Sequence, residues 1–178
     1  MSAPVFPTQL TLPTLVEDFF RQTAGRWKSE RRYYTLKQEE PQEVVSYLDI
    51  EFLEPGCELL ADLQQRHELD TPLRCGTRIS WDSRYIRPEI AKPVRGSTVF
   101  GVLGETLYRD RGFATPNPVT ARYSFVEPQT FRLHTEYDGA AFQEEIKLIN
   151  AQYRTRQTII SRNDEAQMII QYLEKRLS

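Results

Sequence analysis

Two arginines and a threonine alternate along one short segment near the end of the chain, at Arg154, Arg156 and Thr158. If this segment is a β-strand, its alternate side chains point to one face, and the two guanidinium groups are aligned. A guanidinium group presents a planar fork of N–H donors that binds a carboxylate or phosphate through two hydrogen bonds. The spacing therefore predicts an anion-binding face if that face is turned inward.

Two glutamates in the preceding predicted strand could face these arginines. Either Glu144 or Glu145 would lie beside Arg156, depending on whether the turn near Asn150 has two or three residues. On the outside of a sheet, such neighbours are ordinary cross-strand ion pairs that stabilise the fold very little. On the inside, the charges must be paired or meet a charged ligand. Alternation alone favours the outward, structural interpretation.

A second basic and aromatic segment, from Gly25 to Tyr34, places Trp27 and Arg31 on one face of a predicted strand. We expect Trp27 to close one end of the molecule, with Arg31 either near the rim or reaching into a cavity. Trp81 also has two interpretations, because a tryptophan can fill a core or offer a flat surface on which a conjugated ligand stacks.

Several common kinds of site lack support in the sequence. Two histidines and two cysteines, His67, His134, Cys57 and Cys75, match no usual zinc spacing, so we expect no metal. A G-x-S-x-G motif, which would support a hydrolase triad, is missing, as are the glycine-rich loops that bind nucleotide phosphates.

The overall charge points away from polyanionic partners. The chain has 178 residues and a formal charge of −2, which does not favour binding to nucleic acid or to an anionic membrane surface. Arginine supplies 18 of the 23 basic residues, a bias that indicates either anion recognition or codon preference. The chain contains no apolar stretch of about 20 residues, and its two cysteines favour a reducing compartment, so we expect an intracellular protein.

The pattern of elements predicts an all-β protein with two helices. Residues 1–12 contain Pro4 and Pro7 and are predicted to form a flexible arm, followed by a single domain over residues 13–178. Helices are predicted from Pro13 to Gly25 and, after the second strand, from Cys57 to His67. Alternation predicts strands at 25–34, 44–52, 77–86, 96–103, 106–113, 120–126, 130–137, 141–149, 153–161 and 166–177.

About ten short, closely connected strands solve their edge problem most simply by closing into an antiparallel up-and-down β-barrel. A barrel of eight to ten strands has room for one small ligand. A β-sandwich is the alternative that the same strand spacing permits.

Several motifs then resemble a known family. A Gly-x-Trp directly after a short helix is similar to the opening of lipocalins, in which the tryptophan closes the barrel floor, often under an arginine from near the chain end, here Arg176. The fuller pattern comprises FFRQTAGRWKSERRYY, CELLADLQQRHELD, ISWDS, FQEEIKLINAQYRTRQTIISR and AQMIIQYLEKRLS. From Leu15 onward, the chain resembles the S-type phycobiliprotein lyases, the CpcS/CpeS family.

The resemblance implies a fold, an activity and partners. The fold would be a lipocalin-like or fatty-acid-binding-protein-like barrel forming one chromophore lyase domain. The activity would be non-covalent binding of phycocyanobilin or a related bilin, followed by its thioether attachment to a cysteine of a phycobiliprotein apo-subunit, mainly phycocyanin β or allophycocyanin. The bilin is the substrate, so no cofactor is expected. The setting would be the cyanobacterial cytoplasm or the plastid stroma, and the protein would act as a homodimer or with a related lyase subunit.

The resemblance also assigns roles to residues. The ligand-binding role falls to Arg31, Trp81, Glu145, Arg154, Arg156 and Thr158. The arginines would bind the two propionates of the bilin, and Trp81 would lie against its conjugated rings. The catalytic role falls to Glu144 and Glu174, whose carboxylates would accept hydrogen bonds from pyrrole N–H groups or keep the pyrrole nitrogens protonated.

Two other functions fit the same residues. A carrier of a fatty acid or another hydrophobic carboxylate would use the same barrel and the same two arginines. An assembly factor without a ligand is the third hypothesis.

Overall fold

The computed structural model describes residues 10–87 and 92–178, and within them the chain forms two helices and ten strands. The helices are α1 (Leu12–Thr23) and α2 (Glu58–Arg66). The strands are β1 (Gly25–Thr35), β2 (Gln42–Leu53), β3 (Cys75–Tyr85), β4 (Val94–Leu103), β5 (Thr106–Arg109), β6 (Val119–Glu127), β7 (Thr130–Tyr137), β8 (Ala140–Leu148), β9 (Tyr153–Arg162) and β10 (Glu165–Arg176).

The strands form a closed antiparallel barrel. Each strand pairs with its neighbours in sequence, and β10 returns to pair with β1, with Trp27 opposite Arg176 and Ser29 opposite Glu174. Closure leaves no free sheet edge, which is the stabilising reason for this topology. The predicted up-and-down barrel is confirmed, and the β-sandwich alternative is wrong.

The helix α1 and Trp27 close one end of the barrel. Phe19 and Phe20 of α1 pack into the main core cluster together with Trp27, which is fully buried. The indole Nε1 of Trp27 donates a hydrogen bond to the carbonyl oxygen of Thr23, at 2.9 Å. The guanidinium of Arg176 lies 4.3 Å from the centre of the indole ring. The expected cover of Trp27 by Arg176 is therefore confirmed.

Gly25, between α1 and β1, is required by this closure. Its φ of +127° belongs to a region that side chains disfavour, and a Cβ atom there would lie 2.7 Å from Nη1 of Arg176. Glycine thus permits both the sharp turn and the close approach of the arginine.

The strand predicted at 106–113 is shorter than expected, because β5 ends at Arg109. The carboxylate of Asp110 accepts hydrogen bonds from Oγ1 of Thr98, at 2.8 Å, and from the backbone N–H of Val99, at 3.1 Å. The backbone N–H of Asp110 also donates to the carbonyl oxygen of Val99, at 3.2 Å, so Asp110 is tied to β4 at the point where β5 ends. At the other end of the chain, α1 begins one residue before the predicted start, and residues 1–9 of the predicted arm lie outside the described residues.

The turn between β8 and β9 has four residues, 149–152, rather than two or three. Asn150 holds it, because its Oδ1 accepts hydrogen bonds from the backbone N–H groups of residues 152 and 153, at 2.8 and 3.0 Å. The resulting register places Ile146 opposite Arg156 and Glu144 opposite Thr158. A glutamate therefore meets Arg156 diagonally instead of directly across the strand pair.

Candidate functional site

The barrel contains a cavity of about 220 Å³ beyond the core that α1 and Trp27 fill. Its walls come from strands β1–β5, β9 and β10 and from the turn that follows β5. Among the described residues, four arginines line it: Arg31, Arg109, Arg111 and Arg156. Aromatic side chains complete the walls, with Trp81, Phe100 and Tyr172 among them. A cavity of this kind suits a flat, acidic ligand.

Two of the arginines lie beside one aromatic ring. The guanidinium carbon of Arg156 is 4.8 Å from the ring centre of Tyr172, and that of Arg31 is 5.2 Å from the same centre. Nε of Arg31 also donates a hydrogen bond to Oγ of Ser29, at 3.3 Å. Two guanidinium groups beside one ring make this part of the cavity positive, which favours a carboxylate.

The outward orientation that alternation alone favoured for Arg154, Arg156 and Thr158 is wrong. Arg154 is 3% exposed and Thr158 is fully buried. Burial of the two guanidinium groups is tolerated because each pairs with a glutamate: Nη2 of Arg156 lies 2.6 Å from Oε1 of Glu144, and Nε of Arg154 bonds to Oε2 of Glu174. Alternation identifies two faces but does not say which one is inside.

A polar layer separates the cavity from the closed end. In it, Arg154 pairs with Glu174, whose other oxygen accepts a 2.8 Å hydrogen bond from Oγ of Ser29. The guanidinium of Arg154 lies 4.9 Å from the ring centre of Trp27, directly above the floor. Glu174 is fully buried. Both of its oxygens are therefore engaged within the protein, and it lies behind the cavity surface.

Both buried glutamates are held as carboxylates. Burial alone would raise the pKa of Glu144, but the charges of Arg156 and Arg109 outweigh it and hold that pKa below its ordinary value. For Glu174, burial likewise opposes ionisation, and the charges of Arg154 and Arg156 lower the pKa. At neutral pH the two groups accept hydrogen bonds and do not donate protons.

Trp81 presents part of its indole to the cavity. It lies on β3 opposite Gly96 of β4, where a Cβ atom would approach Cζ2 of the indole to 2.5 Å. The guanidinium carbon of Arg111 is 5.9 Å from the ring centre. The indole also packs against the main core cluster. Trp81 thus combines both predicted interpretations, as a core residue and as a flat cavity wall.

Comparison with known proteins identifies the family. The model of the family described as CpeS-like protein matches residues 15–177. The chain belongs to the CpeS-like family. It is 51% identical to a Nostoc sp. relative named putative phycocyanobilin lyase CpcS 2. That match extends over 162 residues, which are 90% of this chain and 89% of the relative. Over 170 residues it is 44% identical to a Picosynechococcus sp. relative named putative chromophore lyase CpcV, covering 94% and 84%.

A solved structure of the same family has the same fold. The S-type phycobiliprotein lyase CPES from Guillardia theta matches with a TM-score of 0.75 and 26% identity, over 92% of this chain and 93% of that one. The expected resemblance to the S-type lyases is confirmed.

Within this CpeS-like barrel, the predicted site residues occupy three places. Arg31, Trp81 and Arg156 line the cavity. Glu144, Arg154, Thr158 and Glu174 are buried beside or beneath them. Glu145 lies on the outer face, where its Oε2 accepts a 2.7 Å hydrogen bond from Nε of Arg132. Glu144 therefore faces the interior and Glu145 does not, because neighbouring strand residues point to opposite faces. That Glu145 contacts the ligand stays a prediction.

Several cavity residues were not singled out in the sequence, among them Arg109, Arg111 and Tyr172. Arg109 shares a predicted strand face with the fully buried Leu107, so an arginine on an apolar face was the available signal. Tyr172 likewise shares the inward face of β10 with Glu174, two residues further along the strand. Arg111 falls on the same face as Leu107 and Arg109 in the predicted strand 106–113, so the same signal extended to it, although β5 itself ends at Arg109.

Within 10–87 and 92–178, His, Cys, Asp and Glu side chains nowhere gather in groups of three that could hold a metal ion. In the same residues, neither helix has the length and apolar character needed to cross a membrane.

Proposed function

We propose that the protein is a bilin lyase, which binds a linear tetrapyrrole such as phycocyanobilin without a lasting covalent bond and attaches it through a thioether to a cysteine of a phycobiliprotein subunit. The observation that carries this proposal is the pair of guanidinium groups of Arg31 and Arg156 beside Tyr172, inside the cavity of a CpeS-like barrel. The relatives named as lyases support the activity. They give no support to a passive fatty-acid carrier.

Binding uses charge and a flat surface. A propionate of the tetrapyrrole lies between Arg31 and Arg156, where charge-assisted hydrogen bonds replace the repulsion of the two cations. Trp81 lies against the conjugated rings. The cavity of about 220 Å³ is smaller than the roughly 300–1,000 Å³ of pockets that enclose a drug-sized ligand. Part of the tetrapyrrole therefore remains at the mouth of the barrel, where the thiol of an acceptor protein can reach it.

The chemical step is a redox-neutral addition. The sulfur of the acceptor cysteine forms a bond to the ethylidene carbon of the A ring. The π bond of the ethylidene double bond breaks, and the thiol proton ends on the tetrapyrrole. Protonation of the pyrrole nitrogens makes this carbon more electrophilic. Once the propionates offset the arginines, the carboxylates of Glu144 and Glu174 favour the protonated form by their charge. The barrel fixes the conformation of the substrate, which favours addition to one face.

Glu144 and Glu174 act as positioning residues in this arrangement. Glu144 holds Arg156 through a 2.6 Å contact, and Glu174 holds Arg154 in the layer below. That either glutamate contacts a pyrrole N–H directly stays a prediction.

The acceptors that suit this activity are the apo-subunits of phycocyanin β and allophycocyanin, in a cyanobacterial cytoplasm or a plastid stroma. The chain acts there as a homodimer or together with a related lyase subunit. The CpeS-like family membership supports these assignments.

Two measurements test the function. Titration with phycocyanobilin should give a red-shifted and intensified absorption band if the cavity holds a tetrapyrrole. Incubation with bilin and apo-phycocyanin β, followed by denaturing electrophoresis and zinc-enhanced fluorescence, should show a fluorescent acceptor band above the level of spontaneous attachment. A shifted absorption band without transfer to the acceptor would favour the carrier. The absence of both the shifted band and the fluorescent acceptor band would contradict the proposal.

A further inference from the structure

Two buried serines on neighbouring strands share a hydrogen bond inside the barrel. Ser46 of β2 lies opposite Ser83 of β3, and their Oγ atoms are 2.5 Å apart. Ser46 is fully buried, whereas Ser83 is 7% exposed and lines the cavity. Two hydroxyl groups have two protons, but the hydrogen bond between them uses only one. The other proton therefore needs a second acceptor.

The sheet on either side of the two serines offers no acceptor for this proton. Within the part of the chain that the structure describes, neither hydroxyl makes a further hydrogen bond. Ser83 pairs on its other side with Val94, whose side chain has no polar atom. Ser46 pairs on its other side with Ser29, whose hydroxyl already donates one hydrogen bond and accepts another. The acceptor must therefore come from elsewhere.

Burial decides which of the two protons is left over. If Ser83 donated to Ser46, the remaining proton would lie on a residue that is fully buried and does not line the cavity. An unsatisfied donor in such a place destabilises the protein. If Ser46 donates to Ser83, the remaining proton lies on the residue that faces the cavity. This second arrangement is favoured, and Ser83 then presents an O–H donor to whatever occupies the cavity.

The place of Ser83 on its strand brings this donor to the edge of a flat ligand. Trp81, Ser83 and Tyr85 occupy alternate positions along β3, and all three line the cavity. The hydroxyl therefore lies between two aromatic residues, one of which is the flat cavity wall. A planar ligand that lies against Trp81 has its edge groups close to Ser83.

The polar groups of a linear tetrapyrrole differ in what they can accept. They are the propionate carboxylates, the pyrrole nitrogens and the lactam carbonyls of the two terminal rings. The carboxylates are complemented by guanidinium groups, which have the opposite charge. The nitrogens have protons in the form that the site favours, so they donate, as the Ser83 hydroxyl does. The lactam carbonyl oxygen is a neutral acceptor, and it complements a neutral hydroxyl donor.

We propose that Ser83 donates a hydrogen bond to a terminal lactam carbonyl oxygen of the tetrapyrrole, and that Ser46 orients the Ser83 hydroxyl for this contact. This inference rests on the proposed bilin-binding function, and it adds a contact to a terminal ring of the substrate. Because a buried partner already orients the donor, little rotational freedom is lost when the carbonyl binds.

The test compares two ligands that differ only in their carboxylates. Phycocyanobilin and its dimethyl ester both have the lactam carbonyls, and both are titrated by absorbance into the unchanged protein and into Ser83→Ala. We expect Ser83→Ala to bind the two ligands more weakly by the same factor, about three- to tenfold, the scale of one neutral hydrogen bond. The matched control is Ser124→Ala, because Ser124 is exposed on the outer face of β6.

Two further variants test the orienting role of Ser46. In Ser46→Ala the Ser83 hydroxyl is free to turn, so we expect a smaller loss for both ligands than in Ser83→Ala. The double variant should bind no more weakly than Ser83→Ala, because the two residues act through one contact. The double variant also removes both hydroxyl groups, so it leaves no unpaired donor in the core. Thermal unfolding of each variant shows whether it is folded.

An infrared difference spectrum of bound phycocyanobilin detects the contact directly. A hydrogen bond weakens the carbonyl double bond of the lactam, so its loss should move the lactam carbonyl band to higher frequency. We expect this shift in Ser83→Ala and in the double variant, and no shift in Ser124→Ala.

The outcomes distinguish this inference from the function on which it rests. A loss confined to the free acid would mean that Ser83 binds a carboxylate, and it would overturn the lactam assignment. Unchanged binding of both ligands by Ser83→Ala, with an unmoved carbonyl band, would overturn the contact while bilin binding by the unchanged protein stands. A double variant that binds more weakly than Ser83→Ala would overturn the orienting role of Ser46. Failure of the unchanged protein to bind either ligand would overturn the function and the contact together.

Discussion

Nη2 of Arg156 lies 2.6 Å from Oε1 of Glu144, and Nη1 of Arg109 lies 3.9 Å from the other oxygen of the same carboxylate. One glutamate is thus held between two cavity arginines from different strands, β9 and β5. The carboxylate holds Arg156 by a hydrogen bond and attracts Arg109 by charge alone, and one negative charge does not neutralise both guanidinium groups. An acidic ligand meets arginines that are already oriented, so little side-chain entropy is lost on binding.

We predict that Arg156→Ala weakens phycocyanobilin binding by about 1.5–3 kcal/mol, the scale of a hydrogen bond to a charged group. The substitution removes one of the two guanidinium groups beside Tyr172. An absorbance titration measures the affinity, with Arg122→Ala on the outer barrel face as the control. Unchanged affinity would show that Arg156 does not contact the ligand.

Glu174→Gln should destabilise the fold by about 3–5 kcal/mol, the usual result of removing one partner of a buried ion pair. The cause is Arg154, which is 3% exposed and would lose its partner charge. Urea unfolding measures the free energy, and Glu165→Gln is the control because Glu165 is an exposed residue of the same strand. A loss below about 1 kcal/mol, as for a surface ion pair, would contradict the proposed importance of the pair.

In the same Glu174→Gln variant, a positioning role predicts that bilin affinity and transfer rate fall together in the folded protein. A direct role in pyrrole protonation predicts a larger loss in transfer rate than in binding. Single-turnover transfer to apo-phycocyanin β, at saturating and limiting bilin, separates the two effects.

Stability should decrease as the pH falls below the ordinary carboxyl pKa of 4.5. Glu144 and Glu174 have pKa values below that figure in the folded protein, so their stabilisation is present above pH 4.5 and is lost as the pH falls toward the folded values. Each group contributes a slope of up to about 1.4 kcal/mol per pH unit. Urea unfolding between pH 7 and 3 should show a shallower slope for Glu174→Gln than for the unchanged protein. Parallel slopes would contradict this origin of the acid sensitivity.

The order of the strands was predictable because most of them have one face toward the core. In β10, for example, Ile170, Tyr172 and Glu174 alternate with exposed residues, and the period of two is preserved through a tyrosine and a glutamate. The predicted strand 106–113 was too long, because β5 ends at Arg109. The side chain of Asp110 binds β4 at that point, and nothing in the residue order distinguishes this aspartate from one in a strand.

The sequence predicted which charged side chains share a strand face, but it did not predict whether that face points into the barrel. Spacing placed Arg154 and Arg156 on one face, whereas the cost of burying them favoured the outside. The partners that remove this cost are distant in sequence, since Glu174 is 20 residues from Arg154 and bonds to Ser29, 145 residues away. Family resemblance supplied the inward orientation, because the contact of Glu174 with Ser29 joins β10 to β1 and depends on barrel closure, which local patterns do not encode.

Arg176→Ala should lower stability without changing bilin affinity, because Arg176 lies at the closed end of the barrel. Its guanidinium donates hydrogen bonds to the carbonyl oxygens of Ala24, at 2.6 Å, and Ala151, at 2.8 Å, and covers Trp27. Loss of these charged hydrogen bonds should cost about 1.5–3 kcal/mol. Urea unfolding and bilin titration measure the two quantities, with Arg26→Ala as the control because Arg26 is exposed on the outer face at the same end. A weaker bilin affinity in the folded Arg176→Ala protein would show that the closed end affects ligand binding. It would contradict the inference that the polar layer separates the closed end from the cavity.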